Sequence, residues 1–271
     1  HGQLIVLHVN QDGEGQALSG PFLEADMVHR CAEQYGIPRS HCAVLCAPAP
    51  DRASSPEDNG DEVGAPSAVD LAIDAAVKET GASVVVVGTC GTTGPRIGRL
   101  GGHTTWAVNH LQPTVVVAHP YSTALQSDAV RESSFMLVLS GERPLNMEAV
   151  YATFGLMSYW HSLLIFTLLP ERQSDDVSQK IKQELELALE EAGVRGEVQL
   201  QKSVGTKTSE QLILAAAETA RTDFMVVGRA DGFHSELLKG ARASVILLPE
   251  GLKPREHRAL RPSTPNALTM I

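Results

Sequence analysis

Two segments of this chain, 140 residues apart, carry the same pattern. Sliding Val69–Gly88 onto Ser209–Gly228 sets Ile73 on Ile213, Ala75 and Ala76 on Ala215 and Ala216, and Val86-Val87-Gly88 on Val226-Val227-Gly228. Each segment opens with apolar residues at helical spacing, in the first case Val69, Ala72, Ile73, Ala76 and Val77, and then runs into a short apolar stretch that stops at glycine. A helix followed by an unbroken β-branched run is the building unit of a parallel sheet, whose strands are covered on both faces and therefore need not alternate. Repetition of that unit makes the class α/β, with two related domains.

The repeat also locates insertions and absences. At the earlier strands the offset becomes 159, placing Leu4–Val9 on Leu163–Leu168, and the difference of 19 is absorbed by the stretch Pro48–Pro66. That stretch, PAPDRASSPEDNGDEVGAP, is too poor in apolar residues to offset its ordering entropy and reads as a mobile insertion. At the last strand the offset falls to about 130, so the second copy is shorter in the loop and helix after Gly228. The second copy's first strand and helix, within Phe135–Tyr159, map to positions before residue 1. The first domain is thus expected to lack its first strand and helix, as in a fragment or trimmed chain. His1 in place of Met agrees with that expectation.

In chain order the pattern predicts a buried strand over Leu4–Val9, a helix opened by Pro21 and closed by Gly36, a strand over His41–Ala47 and a helix over Ala68–Thr80. A buried four-valine strand from Val84 ends at Gly88, and a helix-compatible segment leads to a strand over Val115–Ala118. After a polar linker at Tyr121–Ser133, the expected elements are a strand at Phe135–Leu139, a helix at Leu145–Met157, a strand at Leu163–Leu169, a helix at Ser174–Ala192 and a strand at Val198–Lys202. A helix at Ser209–Ala220 and strands at Phe224–Val227 and Val245–Leu248 complete the series. The domains are read as 1–120 and 134–250, with 251–271 as a tail.

Composition removes several function classes. With 32 acidic and 22 basic residues the net charge is −10, which gives no long-range attraction to nucleic acid or an anionic membrane. The longest apolar-rich run, Leu156–Leu169, is interrupted by Ser158, His161, Ser162 and Thr167 and falls short of the roughly 20 apolar residues a bilayer span needs. No signal-peptide pattern opens the chain, so the reading is cytoplasmic. Cys31, Cys42, Cys46 and Cys90 form no C-x-x-C pair, and packing of small thiols in a strand explains the His41-Cys42 and Cys46 group; no metal is expected.

Chemistry concentrates after the four valines. Gly88, Gly91, Gly94, Gly98, Gly101 and Gly102 form a glycine-rich loop between a strand and a helix start. Such a loop lets backbone N–H groups and a helix N-terminus converge on an anion without side chains in the way. Arg96 and Arg99 suit either phosphate neutralisation or simple solvation. Thr104 suits either a helix cap or a phosphate ligand.

These residues resemble the universal stress protein family, specifically a tandem two-domain member. Its signature is G-x-x-G, nine residues, then glycine followed by Ser or Thr. Gly88-Thr89-Cys90-Gly91, nine residues and Gly101 reproduce the spacing, but Gly102 stands where the hydroxyl belongs, with Thr104 nearest. VVVVG and Pro113–Val117 resemble the family's fourth and fifth strands, and Leu7-His8-Val9 the end of its second. The resemblance covers nearly the whole chain apart from the insertion and tail.

It implies two doubly wound parallel-sheet domains, Rossmann-like and adenine nucleotide alpha hydrolase-like, in strand order 3-2-1-4-5, the first incomplete. It further implies ATP or AMP held by Gly88, Gly91, Gly101, Gly102 and Thr104, and intramolecular pairing of the domains through their fifth strands, with room for a homo-oligomer. The aspartate that usually ends strand 1 has no counterpart in the first copy, and Ser140 takes its place in the second. Asp231 stands at the second signature glycine of copy two and would set a negative charge beside phosphate. The second domain is therefore expected to serve as a pairing partner without nucleotide. No enzyme is expected, since no Walker lysine, S-G-G-x-D-S loop or Mg²⁺-holding carboxylate pair is present. A scaffold without nucleotide is the alternative, and a slow ATPase the third reading.

Overall fold

The structure, a computed structural model, describes residues 3–10, 25–34, 37–48, 66–88, 100–119, 132–141, 144–157, 161–203, 206–229 and 234–250. They divide into two compact units, 1–82 and 83–271. The proposed insertion, the linker between domains, the tail, and most of the glycine loop lie outside the described residues.

In the first unit β1 (Leu4–Asn10) pairs in parallel with β2 (Cys42–Pro48), with Leu4 opposite Cys42. Between them comes α1 (Ala25–Gln34), whose Val28 and Ala32 pack with Cys42 over a small core. Two strands cannot bury a continuous apolar run. Leu4 accordingly remains 37% exposed, and at the start of β1 the expectation of a buried strand is corrected. The unit ends with α2 (Ala68–Thr80), held by a capping box in which Ser67 and Asp70 satisfy each other's backbone amides. Gly81 closes it at φ 62°. Residue 221, at the repeat spacing of 140, also has positive φ, 50°, although it is arginine.

The second unit is built on a seven-stranded sheet in the order β3-β4-β9-β8-β5-β6-β7. Its strands are β3 (Val84–Gly88), β4 (Thr114–Ala118), β5 (Ser134–Ser140), β6 (Ser162–Leu169), β7 (Gly196–Lys202), β8 (Phe224–Gly228) and β9 (Ser244–Leu248). From β9 to β7 every pairing is parallel, and so is β3 with β4. A single antiparallel seam joins the two groups, with Val115 opposite Leu247, Val116 opposite Ile246 and Val117 opposite Val245.

Covering helices are α3 (Gly102–His110), α4 (Met147–Leu156), α5 (Asp175–Ala192), α6 (Ser209–Thr219) and α7 (His234–Gly240). The core lies around β5 and β6, where Leu137, Leu139 and Ile165 are fully buried against Ile181 and Leu185 of α5. Central parallel strands covered on both faces account for the continuous apolar runs there. The edge strand β7 instead mixes Glu197, Gln199, Gln201 and Lys202 into its sequence, as befits a strand with one free ladder.

The other edge departs from expectation. β3 was expected to be buried because of its four valines, yet Val84 is 43% and Val86 66% exposed. Val84 and Val86 share one face of β3, which among the described residues pairs with β4 alone at the end of the order. Apolar content reports suitability for a strand and not where in the sheet that strand falls.

Candidate functional site

The described parts of the glycine loop are its two ends. Gly88 terminates β3, and Gly101 is the N-cap of α3, in extended backbone with φ −63° and ψ 150°. The first intrahelical bond runs from Thr105 N–H to the Gly101 carbonyl, 2.9 Å. The amides of residues 102–104 therefore belong to the first turn, which has no intrahelical acceptors to offer and points its N–H groups out of the helix end. Among the described residues no side chain caps this end. Gly102 is exposed, and a Cβ added to it would meet nothing within 4 Å.

Thr104 brings the two ends together. Its side chain is buried, at 5% exposure, and Oγ1 donates to the Gly88 carbonyl at 2.6 Å. Of the two sequence readings for Thr104, the helix cap is thus excluded by geometry: Gly101 occupies that position and the hydroxyl is turned to the end of β3. The hydroxyl proton is committed, so Thr104 acts here as the tie between strand end and helix start. Gly91, Arg96 and Arg99 fall outside the described residues.

The same helix is anchored at its other end by a residue that sequence reasoning did not single out. Arg229 follows β8 directly and donates through Nη1 to the carbonyl of Leu111, the C-cap of α3, and through Nη2 to the Pro113 carbonyl at 3.2 Å. Leu111 is itself 1% exposed. Arg229 is half-buried, which draws it below the ordinary arginine value, with Glu250 acting in the opposite direction. Among the described residues its buried Nε has no hydrogen-bond partner.

Across the seam, His119 makes a comparable link from the end of β4. Its Nε2 donates to the Leu238 carbonyl of α7 at 3.2 Å, and its backbone N–H donates to Ser244 Oγ at 3.3 Å. Burial holds His119 below the usual histidine range, partly offset by the Leu238 carbonyl. A signal for both residues existed in the sequence, since each directly follows the glycine or apolar run that ends a strand. Their partners, however, lie more than a hundred residues away.

β5 ends at Ser140, and the next residue, Gly141, is buried where an added Cβ would lie 2.7 Å from the Leu168 carbonyl. Asp231 lies outside the described residues. Among the described residues no group of three or more His, Cys, Asp or Glu side chains is placed to hold a metal ion, and no helix is long and apolar enough to cross a membrane.

A mostly parallel sheet with alternating helices defines the class of open α/β proteins. Within the class, the chain has the fold of universal stress proteins. It superimposes on a putative universal stress protein of Pseudomonas aeruginosa UCBPP-PA14 with a TM-score of 0.55 and 11% identity, covering 92% of this chain and 84% of that one. A universal stress protein of Archaeoglobus fulgidus DSM 4304 gives 0.54 and 12% identity, covering 83% and 74%. A functionally unknown protein of Pseudomonas aeruginosa PAO1 gives 0.52 and 11%, covering 92% and 83%. No protein-family model and no curated protein matches the sequence.

Proposed function

We propose that this chain is a tandem member of the universal stress protein family that binds an adenine nucleotide, ATP or AMP, at the glycine loop between β3 and α3. The observation that carries the reading is the Thr104–Gly88 hydrogen bond, which closes the two ends of the loop on each other. It gathers the carboxyl end of a parallel strand, two glycines without side chains and the first turn of a helix at one point. Backbone amides at such a point suit phosphate oxygens, and the helix dipole adds to the attraction. Gly88, Gly101 and Gly102 contribute backbone, and Thr104 sets their spacing; Gly91 completes the signature in sequence.

The tandem reading is supported by the two parallel groups meeting at one antiparallel seam, β4 against β9, and by the shared positive φ at residues 81 and 221. The second half, with Ser140 and Asp231 at the equivalent places, acts as a structural partner in place of a second nucleotide site. The protein works as a ligand-responsive stress-response scaffold in the cytoplasm and carries out no catalysis. Gly102, in place of the signature hydroxyl, favours one second reading, a scaffold acting through protein contacts alone.

Mass spectrometry of nucleotide released from the purified protein, together with calorimetric titration of ATP, separates them. Released or titratable ATP or AMP near one equivalent is expected. No release and no heat at millimolar ATP rejects nucleotide binding, and ATP turnover well above background rejects the non-enzymatic reading.

A further inference from the structure

The nucleotide reading leaves the second half with no part in the site beyond pairing. Its geometry points further. α3 is a short helix of nine residues that begins at Gly102, directly after its N-cap Gly101. A helix this short is marginal on its own, and the orientation of its first turn depends on how its other end is held. The backbone of that other end is held by Arg229, from the second half of the chain, through two hydrogen bonds to carbonyls at and just past the C-cap.

We infer that Arg229 is a positioning residue for nucleotide binding at the β3–α3 loop, with its guanidinium clamping the C-terminal end of α3 so that the first turn stays aimed at the phosphates. The inference rests on the nucleotide reading above and adds a role for the degenerate half. Three features of the site support it. Arg229 meets the carboxyl end of a helix, where a cation is favoured by the dipole and by the last carbonyls, which have no intrahelical donors. Its contact is two-pronged, with Nη1 and Nη2 on Leu111 and Pro113, so it fixes direction as well as distance. Thr104 transmits the constraint, because the helix clamped at Leu111 is tied at its third residue to the end of β3. A lysine would supply one compact charge and could not span both carbonyls in the same fixed fork.

The position of Arg229 in the repeat sharpens the point. It directly follows Gly228, as Thr89 directly follows Gly88 at the start of the glycine loop. The residue that opens the equivalent loop in the second half is thus turned away to brace the helix of the first.

Arg229→Met retains most of the aliphatic stem and removes the donors; Arg229→Gln is the milder second variant should the first fail to fold. Full-length wild type and variant are compared in two measurements: amide hydrogen exchange over residues 102–111 without nucleotide, and calorimetric titration with ATP at a temperature where melting shows each protein folded. Exchange in α3 is expected to rise and ATP affinity to fall about threefold to tenfold, the range set by losing one charged helix-end contact. Arg229→Lys is expected to recover part of both.

Unchanged exchange in α3, or raised exchange with unchanged ATP affinity, overturns the inference, the second result leaving Arg229 a purely structural brace. A wild type that binds no ATP instead rejects the nucleotide reading. That result is distinguished because the exchange arm still reports whether Arg229 orders the helix.

Discussion

Replacing Thr104 by valine tests whether the tie between β3 and α3 is as consequential as its geometry suggests. Valine keeps the branched shape and volume at a position only 5% exposed, so packing is preserved and the change is confined to one hydroxyl. That hydroxyl donates to Gly88 at 2.6 Å. An intramolecular hydrogen bond contributes about 0.5–1.5 kcal/mol net, and a buried acceptor left unpaired costs about 1–3 kcal/mol. Gly88 is exposed enough for water to replace the lost donor. The lower range therefore applies, and we expect a loss of about 1 kcal/mol, or roughly 2–4 °C in melting temperature for a unit of this size. Urea unfolding followed by Trp106 emission in a Trp160→Phe background reads the helix concerned directly. Thr104→Ser, which retains the hydroxyl, should lose the methyl but keep the loop closed. ATP affinity should fall in Thr104→Val and hold in Thr104→Ser. If Thr104→Val unfolds at the wild-type urea concentration and binds ATP equally well, the loop ends are held by something else and the account of the site is wrong.

Other expectations follow from single observations. Gly102→Ser restores the hydroxyl of the family signature at a position where an added Cβ meets nothing within 4 Å, so ATP affinity should rise without loss of stability; weaker binding by calorimetry would contradict the proposed site. Burial lowers the pKa of both His119 and His161, the latter opposed by Glu132 and Asp223. Their neutral forms are thus favoured by folding, and the unfolded chain binds more protons than the folded one below the ordinary value of about 6.5. Stability should be fully present above that pH and decline as pH falls through it, and a wild-type urea midpoint that falls no further from pH 7.5 to 5.5 than those of His119→Asn and His161→Asn would refute the assignment. Arg221→Gly should stabilise by about 1 kcal/mol, since residue 221 holds φ at 50°, where a side chain is strained and glycine is not. A lower melting temperature in that variant would show that the arginine side chain contributes more than its backbone costs.

Much of the local structure is legible in the residues themselves. Ser67 with Asp70, followed by apolar residues at helical spacing and Gly81, marks α2 at both ends because each signal acts within one turn of the chain. Ser174 and Gly193 do the same for α5. The glycine positions are equally local, since they are read directly from the residues of one loop. Continuous apolar runs likewise place β5 and β6 as strands, and both are buried along nearly their whole length.

What the residues alone determine is therefore the set of elements, the repeat at 140 and the glycine pattern, all consequences of short-range sterics and hydrogen bonding. Tertiary structure decides the rest. Four valines specify a strand equally well at a sheet's centre or its edge, and only the pairing order leaves Val86 exposed. Thr104 carries the same hydroxyl whatever its surroundings, and only the approach of Gly88, sixteen residues earlier, shows where that hydroxyl donates. Arg229 is an ordinary cation in sequence and becomes a brace for α3 because the antiparallel seam brings the start of β4 beside the end of β8, across β9. Contacts between residues 118 apart depend on chain topology, which no local pattern encodes.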